Sequence, residues 1–464
     1  MIKIPRHLRN IALIGPVYLI GGSVRDHILN RPANDHDFAV LGNARTFAEA
    51  VARQIGARMI EIGKGDKTAY RVVSGREVLD FSPIKGKSIE DDLKRRDFTI
   101  NALAYDLQAE RLIDPLRALD DIESRTIRLI SQDAALADPL RMLRAFRLAA
   151  VLGFRITPET LSVINKQGAL ITTSAKERIG AEILQMMEVE RSFPYLEQMC
   201  QAGLLSQILP ELELCRGCLQ NEIHGWDVFE HAMRTYNEIE TIIGPPQADA
   251  RLGPEFTGVI DTYLEKANRK VLLKWAALLH DLGKPQTRSV DPTGRVRFLG
   301  HEEVGARLVG DICARLRMTA QDRSYVTLIV QKHLLPLLLF DADQRGSLTS
   351  RGVVRFVRRF QDDIIGLLIH SVADQRAKLG ATEGSVSGLT RFSERIISAY
   401  LSDLKPKMAA PRLVTGHDLI RRFDLKPSEL VGRLLQRVEE ARLNGEIETK
   451  KEAIELVGTW LEPQ

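Results

Sequence analysis

Val17-Tyr18-Leu19-Ile20-Gly21-Gly22-Ser23-Val24-Arg25-Asp26, followed by Asp35-His36-Asp37-Phe38-Ala39-Val40-Leu41, decides how this chain begins to fold. Val17 to Ile20 and Phe38 to Leu41 are short apolar runs that read as buried strands. Val24 to Leu29 reads as a helix entered through the glycine pair. Bare backbone N–H groups at such a turn, together with the helix dipole, favour a phosphate. Arg25, one turn into the helix, can reach the same anion. Residues i and i+2 of a strand share a face, so Asp35 and Asp37 can clamp one or two divalent ions. Two ions held about 3.5–4 Å apart serve in-line phosphoryl chemistry by stabilising the attacking and leaving oxygens. A D-x-D alone is equally a polar loop before a strand. The strand, Gly21-Gly22 and Arg25 just upstream turn the reading toward phosphoryl transfer.

Outward from this core, Ala44 to Gly56 predicts a helix stopped by its glycine. Ala69 to Val73 and Glu77 to Phe81 predict a hairpin around Ser74-Gly75-Arg76. Beyond about residue 116 the strand signals vanish and helical periodicity takes over, with Leu143, Phe146 and Ala150 on one face. The expectation is an α/β head on a long all-α body. Ile242 to Gly258, with Pro245-Pro246 and several glycines, reads as a surface loop. Upstream, Lys3, Arg6 and Arg9 before the run Ile11 to Ile20 mimic a signal peptide. Pro16 interrupts that run, however, and no small-residue cleavage site follows. No stretch reaches the ~18 apolar residues of a membrane span.

The chain has 464 residues, which at roughly 150 per domain suggests about three domains. With 44% apolar and 27% charged residues it is globular, which excludes disorder and fibrous repeats. Lysine and arginine number 65 against 61 acids, a net +4, so a nucleic-acid partner requires the positive charge to be concentrated locally. Four cysteines make no disulfide framework and suit a reducing cytoplasm. Cys215 and Cys218 lack a second ligand pair, so their C-x-x-C spacing reads as accidental.

Asp91-Asp92-Leu93-Lys94-Arg95-Arg96-Asp97-Phe98-Thr99-Ile100-Asn101-Ala102 contains a basic run that alone would be a solvated face. Taken with G-G-x-V-R-D and D-x-D, the run R-R-D-F-T-I-N-A closely resembles the head of the tRNA nucleotidyltransferase and bacterial poly(A) polymerase family, within the DNA polymerase β-like superfamily. The resemblance is dense over residues 17–210. It implies that Asp35 and Asp37 are catalytic magnesium ligands, that Gly22 and Arg25 contact the nucleoside triphosphate, and that Arg96 and Asp97 contact nucleotide and ribose with Asn101 in support. Asp80, on a later strand, is a candidate third acid.

Asp138-Pro139-Leu140-Arg141 is an ordinary helix start, with Asp138 as N-cap and Pro139 at the first helical position. Arg141, Arg144 and Arg147 then form one stripe, which a solvated face explains as well as a functional one. The segment resembles the family's E-D-x-x-R motif, whose acid and arginine read the incoming base. The resemblance implies that Asp138 and Arg141 select the base and Arg144 assists. Ala137 stands where the family usually has glutamate. Ala175 to Glu182 resembles the neck-helix motif and is expected to brace. Asp114 to Asp120 resembles the head–neck connector, with Arg117-Ala118 in place of a glycine pair.

His280-Asp281 ends the apolar run Val271 to Leu279, ordinarily just a polar helix end. With His231, His301, His333 and Asp374 it resembles the HD phosphohydrolase signature, every position filled. Imidazole and carboxylate ligands suit a transition metal, and an adjacent His-Asp can bind one ion or bridge two. His224 and His370 match no motif position and read as ordinary. The C-terminal stretch resembles the family tail. Arg351, Arg355, Arg358 and Arg359 form either an RNA-backbone patch or a solvated face.

The resemblance therefore implies a polymerase-β-like head with a small mixed sheet (1–115), an all-α neck (116–215), an HD domain (216–400) and a helical tail (401–464). It implies addition of CMP and AMP from CTP and ATP to a tRNA 3′ end, in the cytoplasm and without a membrane. Mg2+ is expected at the head and Ni2+ or Mn2+ at the HD site. The short span from Asp37 to Arg95 resembles relatives that add only CC. A-adding, poly(A)-adding and purely hydrolytic readings stand as further alternatives.

Overall fold

The computed structural model describes residues 4–461 apart from 34, 64, 66–67, 221–224, 245–252 and 254–255. Most of the loop expected at Ile242 to Gly258, and His224, therefore lie outside the described residues. The chain divides into two compact units, Met1–Pro210 and Glu211–Gln464.

The first unit is built on a seven-stranded sheet in the order β3-β4-β5-β2-β1-β6-β7. The strands are β1 (Val17–Ile20), β2 (Asp35–Val40), β3 (Arg58–Ile62), β4 (Ala69–Ser74), β5 (Glu77–Pro83), β6 (Ala104–Asp106) and β7 (Arg111–Ile113). The sheet is mixed because β2 and β5 run parallel, whereas β1 and β4 are antiparallel to their neighbours. Helix α1 (Gly22–Ile28) follows β1 directly, and α2 (Ala44–Ile55) is capped by the Asn43 side chain and stopped by Gly56 in the left-handed region. One sheet face is apolar: Phe38 stacks on Phe81 at 4.9 Å, and Phe47 of α2 packs on Phe81 at 5.7 Å. Because a strand alternates, the opposite face of β2 carries Asp35 and Asp37. The apolar packing thus sets the face on which the carboxylates stand.

Short helix α3 (Ile89–Leu93) leads into the R-R-D segment, and α4 (Leu140–Leu152) and α5 (Lys176–Met187) belong to the helical part of this unit. The body is not wholly without strands. Thr126–Ile127 pairs with Arg155–Ile156, and Ser289–Val290 with Val296–Arg297. Pairs of two residues each are too short to leave a periodic signal.

The second unit is helical. Its core contains α6 (Val228–Ile243), α7 (Arg269–Leu279), α8 (His301–Arg315), α9 (Ala320–Lys332), α10 (Ser350–Phe360) and α11 (Ile364–Arg376). Every residue of α7 from Val271 to Leu279 is buried, including Lys274, whose charge is met by Glu240 of α6 at 2.6 Å. Ala320–Gln344 is long and apolar enough, at mean hydropathy 1.3, to cross a membrane by length and composition, contrary to the sequence expectation. Turn residues His333 and Leu334 break it, and α9 packs against α7 and α8. The tail helices α12 (Gly416–Phe423), α13 (Glu429–Leu443) and α14 (Lys450–Leu461) enclose a small core of their own around Leu419, Leu434, Val438 and Val457.

Candidate functional site

Gly21 takes φ +71, and its N–H donates to the Leu103 carbonyl at 2.9 Å. A Cβ there would meet Arg96 Nη1 at 2.7 Å, so only glycine lets Arg96 lie over this turn. Ser23 Oγ donates to the Asp35 carbonyl at 3.3 Å and accepts the Asp37 N–H at 3.0 Å. This hydroxyl, which the sequence reading passed over, pins the glycine turn to the D-x-D strand.

Asp37 lies beside Asp80 in the parallel β2–β5 register. Loss of water around its carboxyl raises the Asp37 pKa; Arg96 opposes this, and Asp80 and Asp35 add to it. Like charges converging on one spot create a demand for a cation. Asp80 is already engaged, because Arg71 on β4 grips both its oxygens at 2.8 Å.

From the turn, a chain of polar contacts runs to the helices. Arg25 Nη1 donates to Asn101 Oδ1 at 2.6 Å, and Arg25 also grips Asp26. Asn101 Nδ2 donates to Asp97 Oδ1 at 3.0 Å, and Arg144 Nη1 donates to Asp97 Oδ2 at 2.9 Å. Burial opposes ionisation of Asp97, but the Arg144 charge and these hydrogen bonds hold its carboxyl below the ordinary range. Glu182 of α5 takes the Nε–H groups of both Arg144 and Arg147. Arg96 pairs with Asp92 at 3.1 Å. Arg141 donates to the carbonyls of Arg95 and Arg96, each at 3.0 Å, so it ties α4 to the R-R-D segment. Asp138 receives Arg178 at 2.9 Å. Arg25, Asn101, Asp97 and Arg144 are thus linked by hydrogen bonds; Arg141 holds the backbone of Arg95 and Arg96 next to Asp97, Gly22 opens α1, and Asp138 is tied to Arg178.

The second cluster is buried among helices. His231 on α6, His280-Asp281 after α7, His301 on α8, His333 after α9 and Asp374 on α11 all have less than a tenth of their surface exposed. Three of the histidines share one device. Nδ1–H donates to a carbonyl one turn back: His280 to Ala277 at 2.9 Å, His301 to Phe298 at 2.8 Å and His333 to Val330 at 2.7 Å. Each Nε2 is then a bare lone pair aimed inward, the tautomer a metal ligand needs. His301 and His333 set these atoms 3.4 Å apart, while among the described residues His280 Nε2 and Asp281 Oδ1 have no hydrogen-bond partner. Opposed lone pairs and orphaned buried atoms are what a cation resolves. The donor atoms gather as His231–His280–Asp374 and His280–Asp281–His333, each set within 4.8 Å. Asp281 faces both ways: Oδ2 lies 3.1 Å from His280, and Oδ1 lies 3.4 Å from His301.

Four family models match this chain: the poly A polymerase head domain over residues 17–128, the probable RNA and SrmB-binding site of polymerase A over 153–215, the HD domain over 250–347 and domain 2 of tRNA nucleotidyltransferases over 393–457. The A-adding tRNA nucleotidyltransferase of Deinococcus radiodurans is 34% identical, covering 96% of this chain and 95% of its own. The chain belongs to the tRNA nucleotidyltransferase family. The CC-adding member from Thermus thermophilus is 30% identical over 95% of this chain and 93% of its own. Among solved structures, the Thermotoga maritima CCA-adding enzyme complexed with tRNA shares the fold at TM-score 0.65 and 19% identity, covering 99% of this chain and 97% of that one. As a member of this family the chain is an enzyme, a nucleotidyltransferase with divalent-metal dependence.

Within the HD cluster the sequence reading missed two kinds of residue. His370, one helical turn before Asp374, is fully buried. Its ring lies 5.0 Å from that of His280 and 5.8 Å from that of His333, and among the described residues neither of its nitrogens has a hydrogen-bond partner. Burial, with His280 and His333 nearby, holds its pKa well below the usual value. Lys284 approaches Asp281 Oδ2 at 2.6 Å, and Lys378 approaches Asp374 Oδ2 at 3.1 Å. The i+4 steps from His370 to Asp374 to Lys378 were the available signal. Of the arginine patch on α10, Arg351 pairs with Glu446 and Arg358 with Glu440 of the tail, so half of it is engaged in ion pairs within the chain.

Proposed function

We propose that this enzyme adds CMP and AMP, from CTP and ATP, to the 3′ end of tRNA and releases pyrophosphate. The observation that carries the reading is the pairing of Asp35 and Asp37 on one sheet face with a glycine turn bound to that strand through Ser23. Asp35 and Asp37 would hold Mg2+, which activates the terminal ribose hydroxyl and stabilises charge at the α-phosphate. Gly22 and Arg25 hold the triphosphate, and Arg96 and Asp97, with Asn101, hold the nucleotide and its ribose. Asp138 accepts from the exocyclic amine of C or A, Arg141 donates to the base edge, and Arg144 keeps Asp97 in place. Arg71 holds Asp80 back from the ion site. The tRNA is recognised by shape and backbone, as an enzyme serving every tRNA requires.

The HD cluster supports phosphatase and 2′,3′-cyclic phosphodiesterase activity on RNA ends. His231, His280, Asp281, His301, His333 and Asp374 would hold Ni2+ or Mn2+, which supplies a nucleophilic water near neutral pH. On this assignment residues 1–115 transfer nucleotides, 116–215 select the base, 216–400 hydrolyse phosphates and 401–464 close the body.

A CC-adding enzyme is the second reading. Its support is the short span from Asp37 to Arg95, where a longer loop would resemble relatives that also add A. Purified protein is incubated with tRNA lacking its 3′ end, with each nucleotide alone and all together. Addition of C, C and A supports the first reading, arrest after CC supports the second, and no incorporation with magnesium overturns both.

A further inference from the structure

Asp138 stands between helix Gln132–Ala137 and α4, in an extended conformation (φ −147, ψ 98). Two contacts define its carboxylate. The Leu140 N–H donates to Oδ1 at 3.3 Å, and Arg178 Nη2 donates to Oδ2 at 2.9 Å. The first is long and weak; the second is a charge-assisted bond of ordinary length. Arg178 therefore supplies most of what fixes the carboxylate plane. Burial opposes ionisation of Asp138, but the Arg178 hydrogen bond and charge outweigh it and keep the carboxyl below its ordinary range.

Arg178 comes from α5, one turn before Glu182, which holds Arg144 and Arg147. One polar face of α5 thus reaches both the start and the middle of α4. The two contacts differ in setting. Glu182 is buried, whereas the side chains of Arg178 and Asp138 are 47% and 29% exposed. A pair this open to water adds little to stability, yet it lies at the carboxylate assigned to the base. No acid stands at position 137, where Ala137 replaces the family's glutamate, so the partner Arg178 takes is Asp138 itself.

We infer that Arg178 is a positioning residue for base selection: it holds the Asp138 carboxylate in the plane that accepts the amine of cytosine or adenine. The inference rests on the reading of Asp138 as the base-contacting acid. Oδ2 keeps a second lone pair while Arg178 occupies the first, so the amine is accepted without breaking the pair. A carbonyl in the same place, as in uracil or guanine, meets a fixed negative charge and is rejected. Without Arg178 the carboxylate is free to turn away, and discrimination falls before catalysis does.

The test uses the full chain with tRNA lacking its 3′ end, measuring kcat and KM for CTP and UTP separately. Arg178→Ala is expected to raise KM for CTP and to lower the CTP-over-UTP preference about tenfold, with kcat nearly unchanged. Arg178→Lys is expected to recover part of the preference, and the melting temperature of both variants should stay close to that of the parent. A preference within twofold of the parent in Arg178→Ala overturns the inference. So does a loss that tracks a large fall in melting temperature and is not recovered by lysine. Asp138→Ala separates the two levels: if it leaves the preference unchanged, the reading of Asp138 is wrong, whatever Arg178 does.

Discussion

The two metal-competent sites of this chain solve one problem in opposite ways. In the first unit two carboxylates stand one strand repeat apart on the open face of a sheet, and the other acid beside them, Asp80, is tied to Arg71. In the second unit six side chains drawn from five helices or their ends converge in a buried cluster. The open site suits large substrates that arrive and leave at every cycle. The closed one suits a retained ion, because its ligands are oriented beforehand by carbonyls and by lysines paired with its carboxylates. A single strand can present a transient site, whereas a retained one needs an enclosed core.

The largest expected effect separates the two sites. Asp35→Ala or Asp37→Ala should reduce nucleotide incorporation on the order of a thousandfold, as loss of a charge-stabilising group at a reacting centre does. Metal content of the second unit, measured by mass spectrometry after desalting, should not change. Conversely, His280→Ala should weaken metal retention about 100-fold or more, with incorporation at parent level. Coupled losses in either variant would break the comparison.

Acid should act on the second unit first. Burial pushes His333 down to about 3 and lowers His231 and His370, while Asp281 raises His280 against its own burial. A histidine with a depressed folded pKa contributes stability above its unfolded value of about 6.5, and loses it as pH falls toward the folded value. Each such group costs about 1.4 kcal/mol per pH unit over that window, and His280 offsets one of them. The metal-free protein should therefore lose the helical unit cooperatively between about pH 6.5 and 3, followed by tryptophan fluorescence through buried Trp275. Bound metal should shift this transition to lower pH, because protons compete for the same lone pairs.

The smallest effect concerns Asp37. Its raised pKa means that ionisation opposes folding once pH exceeds the unfolded value of about 3.9. Asp37→Asn should raise the melting temperature of the metal-free protein slightly at neutral pH while abolishing transfer. A lower melting temperature would show that Asp37 is not strained by its neighbours.

How much of this was legible follows from distance along the chain. Asp35 and Asp37 were readable because a strand puts i and i+2 on one face, and β4 and β5 because Ser74-Gly75-Arg76 is a turn between two strand-like runs. Strands β6 and β7 are three residues each, too short for any periodicity. The HD residues came through their resemblance to a known signature, since no local rule joins His231 to Asp374. His370 was set aside because it fits no signature position, although its i+4 relation to Asp374 placed it on the same helix face. Lys378 carried the same signal. The Arg178–Asp138 pair left none, because its partners lie on separate helices whose approach is set by packing.

The central claim is that one chain carries two chemically independent sites. Its most direct test assays one preparation twice, for nucleotide incorporation into tRNA lacking its 3′ end with Mg2+, and for phosphate release from a 2′,3′-cyclic RNA end with Ni2+ or Mn2+. Asp37→Ala should abolish the first and keep the second, and Asp281→Ala should do the reverse. Loss of both activities in either variant, or incorporation that survives Asp37→Ala, would contradict the account.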